Sequence, residues 1–222
     1  MTTTGDDAVI LETEWQSIIA TEWVLALGPH LEFLLRPAGP WAPIDGPKGG
    51  WENAHSMAVI AMGTFAIESF VGRVAEPNED ALRALIRIAT SAGRPPPDHI
   101  REVFVLRDVL VHGHVWQISD EVTLTDDSHA IRTISRELSR GRKDKKYLET
   151  VDPDLGLTKP RGLHVIPSYI GRREAAAVLN TNLRLADMLA NMRSIGDTWL
   201  RVGDSIAILR SLSENLDSAA QT

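Results

Sequence analysis

Apolar residues recur three or four positions apart along most of the chain, which is the spacing of one face of an α-helix. The pattern predicts seven helical segments, over about Ala8–Leu27, His30–Leu35, Trp51–Val74, Glu79–Ala92, Asp98–His112, Arg172–Arg193 and Asp197–Ser213. The third segment is apolar on more than one face, which is typical of a central helix in a bundle. Short connections between successive helices favour antiparallel packing.

Polar residues and prolines indicate where some of these helices begin or bend. Asn78 and Asp98 each precede an apolar periodic segment, so both are predicted to be N-terminal caps. Pro29 interrupts the first helical pattern and predicts a kink or a restart there.

The periodicity changes between about residues 115 and 168. Two short segments of β-branched and aromatic residues, Val115–Ile118 and Val122–Thr125, flank Ser119-Asp120-Glu121 and predict a β-hairpin. Gly162–Pro167 is a candidate third strand. We therefore expect one domain over residues 1–222, mainly α, built as an antiparallel helical bundle with a small β-hairpin or β-rich insertion at about 115–168.

Composition limits the classes of protein that fit. The chain has 222 residues, is 43% hydrophobic and contains no cysteine, so disulfides and thiolate zinc sites are excluded. Its first residues are polar and acidic, and no apolar stretch is expected to approach the roughly 20 residues needed to cross a bilayer. We expect a cytoplasmic protein without a membrane partner.

The net charge of −7 argues against general coating of nucleic acid, but the charge is unevenly distributed. The segment from Ile131 to Lys146, called the basic segment below, contains seven lysines and arginines and two acids. The residues expected to contact an RNA backbone are Arg140, Arg142, Lys143, Lys145 and Lys146. Tyr147 and Trp116 are candidates for stacking on bases, and the alternative for the segment is a solvated loop.

Candidate chemistry is concentrated in residues 107–114, at the end of an apolar helical segment. Arg107 is a permanent cation with a planar fork that suits phosphate, and histidine exchanges its proton near neutral pH. Asp108 and His112 are neighbours at i and i+4 on a helix, so His112 is predicted to act as a general acid or base held by Asp108. Gly113 is expected to end the helix, and His114 then becomes a turn residue.

These residues resemble the signature of the HEPN superfamily, in which an arginine and a polar residue are followed by a histidine, with four to six residues between arginine and histidine. Arg107, Asp108 and His112 fit the four-residue spacing, and His114 fits the six-residue limit. The upstream segment Gly63–Phe70, which includes Glu68, is similar in character to the helix that packs beside that signature. The resemblance covers about residues 51–114 and a closing helix near 172–193.

The resemblance implies a four-helix bundle that forms a homodimer, in which two arginine and histidine elements face one another. Many such dimers are metal-independent endoribonucleases of toxin or defence systems: the ribose 2′-hydroxyl attacks the adjacent phosphate, histidine transfers protons and arginine stabilises the developing charge. Carried over, Arg107 is the electrostatic group, His112 the acid or base and Asp108 the orienting group. The implied partners are RNA or a nucleotide and an antitoxin protein, and no cofactor is implied.

Other interpretations of the same residues stay open. Arg107 and His112 could tie together a noncatalytic helical interaction or scaffold module, since a cation at a helix C-terminus also complements the helix dipole. His112 and His114 with Glu68 or Asp108 could hold a metal, but two close histidines without a third fixed ligand are common, and no metal is expected. Glu68 is either a buried partner of Arg107 or a solvated glutamate.

Overall fold

The computed structural model describes residues 22–36, 48, 50–72, 74–111, 116–125, 128–138, 145–190, 210–211 and 213–215. The protein is mainly α-helical, and it carries a small two-stranded antiparallel sheet. The predicted fold class is thereby confirmed. The helices are α1 (residues 22–34), α2 (Gly50–Val71), α3 (Ala81–Ser91), α4 (Pro97–Val111), α5 (Lys145–Thr150) and α6 (Arg172–Ala190). The strands are β1 (Trp116–Thr125), β2 (Ser128–Leu138), β3 (Val151–Asp152) and β4 (Leu157–Thr158).

Helix α2 is the central element of the described structure and packs against α6, α4 and α3. Among the described helices it is the one that is long and apolar enough to cross a membrane, and half of its most apolar 18-residue window is buried inside the protein. The expectation that no apolar stretch reaches this length was wrong. A helix with packed neighbours on several sides is apolar on several faces, which raises its overall apolarity.

Helix α1 continues through Gly28 and Pro29 in the described residues, so of the two predicted outcomes at this proline the restart is wrong. Leu27, Leu31 and Leu34 lie on one face of the helix and are almost fully buried. Their packing compensates for the backbone hydrogen bond that a proline removes. The part of the predicted helix that precedes residue 22 lies outside the described residues.

The helices α3 and α4 begin at residues other than the predicted caps. The Asp80 carboxylate accepts a hydrogen bond from the backbone N–H of Arg83 at 2.9 Å and caps α3. Asn78 lies in the preceding turn with φ of 67°, a left-handed conformation that asparagine tolerates. Helix α4 begins at Pro97, because proline suits the first helical position, where no N–H partner is needed. Asp98 follows within the first turn.

The β-hairpin is present, but its turn is not where the sequence pattern placed it. Residues 119–121 lie inside β1, and β1 pairs with β2 as far as Thr125 opposite Ser128. Ser119 pairs with Ser135 and Asp120 with Thr133, which leaves Ile134 as an extra residue on β2. This bulge lets the strand continue through the polar residues that looked like a turn. Part of the basic segment is therefore strand rather than loop.

The rest of the insertion contains only brief strand pairing within the described residues. Strands β3 and β4 pair over two residues each, and the predicted strand at Gly162–Pro167 is reduced to one bridge between Leu157 and His164. Pro167 begins a 3-10 turn, because its ring fixes φ and it has no N–H for a ladder. Helix α6 then confirms the predicted closing helix. Most of the predicted last helix lies outside the described residues, of which 210–211 and 213–215 are helical.

A buried ionic cluster joins this insertion to the bundle. Glu102 of α4 is fully buried and accepts hydrogen bonds from the side chains of Arg161 and Thr158. Arg161 also donates to the carbonyl oxygen of Ala177 at 3.0 Å and to Thr181 at 3.1 Å, both on α6. The cluster therefore connects α4, β4 and α6 through one guanidinium and one carboxylate.

Candidate functional site

Arg107 lies in the last turns of α4 and is held against α2. Its Nη2 donates to Oε1 of Glu68 at 2.5 Å, and the two side chains are 15% and 23% exposed. The centre of the guanidinium is 5.5 Å from the ring centroid of Phe65 and 5.4 Å from that of Phe104. A cation at this distance from an aromatic face is attracted by the ring. Salt bridge and rings together fix the orientation of the guanidinium.

Asp108 is the second carboxylate beside Arg107. Its Oδ1 lies 3.2 Å from Nε of Arg107, and its Oδ2 accepts a hydrogen bond from the hydroxyl of Tyr147 at 3.0 Å. The Nε atom is buried without a well-aligned hydrogen bond, so the contact between Arg107 and Asp108 is mainly electrostatic. Asp108 thus holds both Arg107 and α5 in place.

Tyr147 is 2% exposed, and its ring belongs to the hydrophobic core. The prediction that this ring stacks on RNA bases is therefore wrong. The hydroxyl donates its hydrogen bond to Asp108, and the ring lies on the buried face of α5, where its apolar area is removed from water. The side chain of Trp116, the other stacking candidate, lies outside the described part of the structure.

The guanidinium of Arg107 is not fully used by these contacts. Within the described part of the chain, its Nη1 atom donates no hydrogen bond, while Nη2 and the ring contacts hold the group in position. An arginine oriented by some of its donors can offer another to a phosphate oxygen. Glu68 and Asp108 oppose this, because two nearby carboxylates raise the electrostatic cost of bringing in an anion.

The structure brings Arg107, Asp108 and Glu68 together. Of the other predicted site residues, only Lys145 and Lys146 lie within the described part of the chain. His112, His114, Arg140, Arg142 and Lys143 lie outside the described residues. Lys145 and Lys146 begin α5, directly before Tyr147, and α5 packs against α4. The hydrogen bond from Tyr147 to Asp108 therefore brings the end of the basic segment close to Asp108 and its neighbour Arg107.

The roles of three residues in this site were not identified from the sequence. Phe104 precedes Arg107 by three residues and Phe65 precedes Glu68 by three, a spacing that places each pair on one helix face. That signal could have identified both rings. Tyr147 is 39 residues from Asp108, and no local pattern links the two.

No group of three or more potential metal ligands is present among the residues that the structure describes. The chain was also compared with protein-family models, with curated proteins and with solved structures, and none of the three comparisons found a match. The geometry at the end of α4, together with the Arg-Asp-x3-His pattern, is what bears on function.

Proposed function

We propose that this chain is a HEPN-like RNA-binding protein that cleaves RNA without a metal ion, in a site formed by two copies of the chain. Arg107 supplies the fixed cation and His112 the exchangeable proton. The observation that supports this most is the fixed guanidinium of Arg107, held by Glu68 and two rings with Nη1 uncommitted among the described residues. A cation already oriented for a phosphate needs no reorganisation during the reaction.

The proposed reaction is an internal transfer at phosphorus. The ribose 2′-oxygen attacks the adjacent phosphorus while one histidine nitrogen takes the hydroxyl proton, and the P–O bond to the next nucleoside breaks. The leaving 5′-oxygen receives a proton from a protonated histidine, which we assign to His112 of the second copy. The products are a 2′,3′-cyclic phosphate and a 5′-hydroxyl. Arg107 stabilises the negative charge on the phosphoryl oxygens.

The position of α5 supports RNA as the substrate. Lys145 and Lys146 directly precede Tyr147, whose hydroxyl is bonded to Asp108 beside Arg107. The basic segment that ends at these lysines therefore leads to the proposed catalytic element. Cations next to a cleavage site hold the phosphate backbone and supply affinity that depends on salt concentration.

A second candidate function is a noncatalytic helical interaction module. It is favoured by the pairing of Arg107 with two carboxylates, since Glu68 and Asp108 together outweigh the charge of one guanidinium. In that case the element fastens α4 to α2 and α5, and His112 is a helix-end residue that complements the dipole. The two candidates differ in whether RNA is bound and cut.

The test is an RNA cleavage assay in chelator with the full chain, His112→Ala and a control, His99→Ala, at the opposite end of α4. We expect cleavage by the wild type and the control, with 2′,3′-cyclic phosphate ends, and loss of at least about 100-fold for His112→Ala. Circular dichroism and sedimentation compare folding and dimer formation. Equal cleavage by His112→Ala and wild type contradicts the catalytic proposal, and a wild type that neither binds nor cuts RNA favours the interaction module.

A further inference from the structure

A cleft of about 520 Å³ lies where the end of α3, the loop to α4 and the side of α6 meet. It is at the opposite end of α4 from Arg107, because Pro97 begins that helix and Arg107 follows ten residues later, about 15 Å along the axis. The cleft is within the size range of small-molecule sites in proteins. None of its lining residues is assigned to RNA cleavage.

Two arginines from different elements line the cleft. Arg94 lies in the loop before α4 and Arg184 lies on α6, and both are exposed. Neither forms an ion pair or a side-chain hydrogen bond with any residue in the described ranges. The carboxylate that lines the same cleft, Asp187, is bound to Arg210 at 2.5 Å. The cleft therefore has excess positive charge in a chain whose net charge is −7.

The positive potential extends to the first turn of α4. Burial lowers the pKa of His99, and the nearby cations Arg161 and Arg184 lower it further, against the opposing effects of Glu102 and Asp98. Arg161 is paired with Glu102, whereas Arg184 forms no ion pair with any residue in the described ranges. An anion bound beside Arg184 would offset its charge.

One wall of the cleft is rigid and apolar. Pro95, Pro96 and Pro97 form it together with Ala89, and Pro95 is buried. Proline rings fix the backbone dihedral φ and lose little entropy when a ligand packs on them. The wall suits a flat apolar or aromatic group next to the charged end of a ligand.

We infer that this cleft binds a small phosphomonoester with an apolar or aromatic body, whose phosphate lies between Arg94 and Arg184 and whose body packs on the three prolines. Guanidinium groups match phosphate oxygens with paired hydrogen bonds, and two of them from separate elements fix one dianion. Only a compact ligand uses both the charged and the apolar lining. An RNA strand would need further cations along the surface, and the next charged lining residue is Asp187.

The test uses the full chain and phenyl phosphate as the probe, with inorganic phosphate for comparison, in isothermal titration calorimetry. We expect phenyl phosphate to bind more tightly than inorganic phosphate and to bind less tightly as salt rises. Arg94→Gln and Arg184→Gln should each weaken binding of phenyl phosphate about tenfold. Both arginines are exposed, so both variants should fold like the wild type.

The matched control is Arg83→Gln, an exposed arginine on α3 that pairs with Asp80 outside the cleft. It should bind phenyl phosphate like the wild type, and His112→Ala should do the same, which separates this site from RNA cleavage. Affinity that is unchanged in both cleft variants overturns the inference. So does binding of single-stranded RNA through Arg94 and Arg184 when phenyl phosphate does not bind.

Discussion

The guanidinium of Arg107 on α4 donates to the carboxylate of Glu68 on α2 with Nη2 and Oε1 2.5 Å apart, and both side chains are largely shielded from water. An ion pair in this setting holds two helices at a defined position. If one partner is removed, the other charge remains in a site with little water to solvate it. The pair therefore links the stability of the bundle to the orientation of the proposed catalytic arginine.

Replacing Glu68 with alanine should lower the free energy of unfolding by about 1–3 kcal/mol, because Arg107 then lacks its hydrogen-bond acceptor on α2. Urea denaturation at pH 7 measures the change. The control is Asp98→Asn, which removes an exposed ion pair to Arg101 on α4 and should cost at most about 1 kcal/mol. Equal losses in the two variants would mean that the pair between Arg107 and Glu68 contributes no more than a surface ion pair.

Tyr147→Phe should lower the free energy of unfolding by about 1.5–3 kcal/mol, since it removes a hydrogen bond to a buried carboxylate. The same variant should leave RNA affinity unchanged, because the ring is inside the core. Fluorescence anisotropy with labelled RNA measures affinity, and Arg142→Gln is the comparison variant that should weaken binding. A loss of RNA affinity without a loss of stability in Tyr147→Phe would place this ring on the RNA surface instead.

Sequence patterns predicted the parts of the fold that depend on local spacing. Helices α2, α3, α4 and α6 have long periodic segments bounded by strong polar or proline signals, so their positions were predictable to within a few residues. The hairpin was predicted but its turn was not, because Ser119-Asp120-Glu121 has turn-like composition. The bulge at Ile134 is a pairing feature that appears only when the two strands are aligned.

The candidate site shows the same division. Arg107 and Asp108 could be identified from one helix, because arginine, aspartate and histidine follow one another at short spacing in the sequence. Two interpretations of Glu68 were left open by the sequence, a partner of Arg107 or a solvated glutamate. The structure shows that Glu68 is the partner of Arg107. The role of Tyr147 depends on how α5 returns to α4, and that path is set by the whole insertion rather than by any local pattern.

Glu102→Gln should be among the most destabilising single substitutions, with a loss of about 3–5 kcal/mol, because it leaves the guanidinium of Arg161 without a buried counter-charge. Hydrogen exchange should show lost protection in residues 151–165 before the helices are affected. Asp154→Asn, on an exposed turn of the same insertion, should be neutral.

The double variant Glu102→Leu with Arg161→Met provides a second readout for this cluster. Removing both charges should cost less than removing either one, since no uncompensated ion then remains. If the double variant is as unstable as the sum of the two single variants, the two side chains contribute independently and the buried ion pair is not what anchors the insertion.

Stability should fall between neutral pH and pH 5 because of the contact between His30 on α1 and His55 on α2, whose Nδ1 atoms are 2.9 Å apart. One ring must be neutral to accept this hydrogen bond, and burial, followed by the charge of His55, lowers the pKa of His30 below its usual 6.5. The unfolded chain then binds more protons as pH falls through 6.5, so the free energy of unfolding decreases until the lowered pKa of the folded state is passed.

Urea denaturation at pH 7.5 and 5.0 should show this decrease in the wild type and a smaller one in His30→Gln. His99, whose pKa is also lowered, contributes in the same direction, so His99→Gln serves as the comparison and the double variant should lose the most pH dependence. An unchanged decrease in His30→Gln would show that the contact between the two rings does not respond to pH in this range.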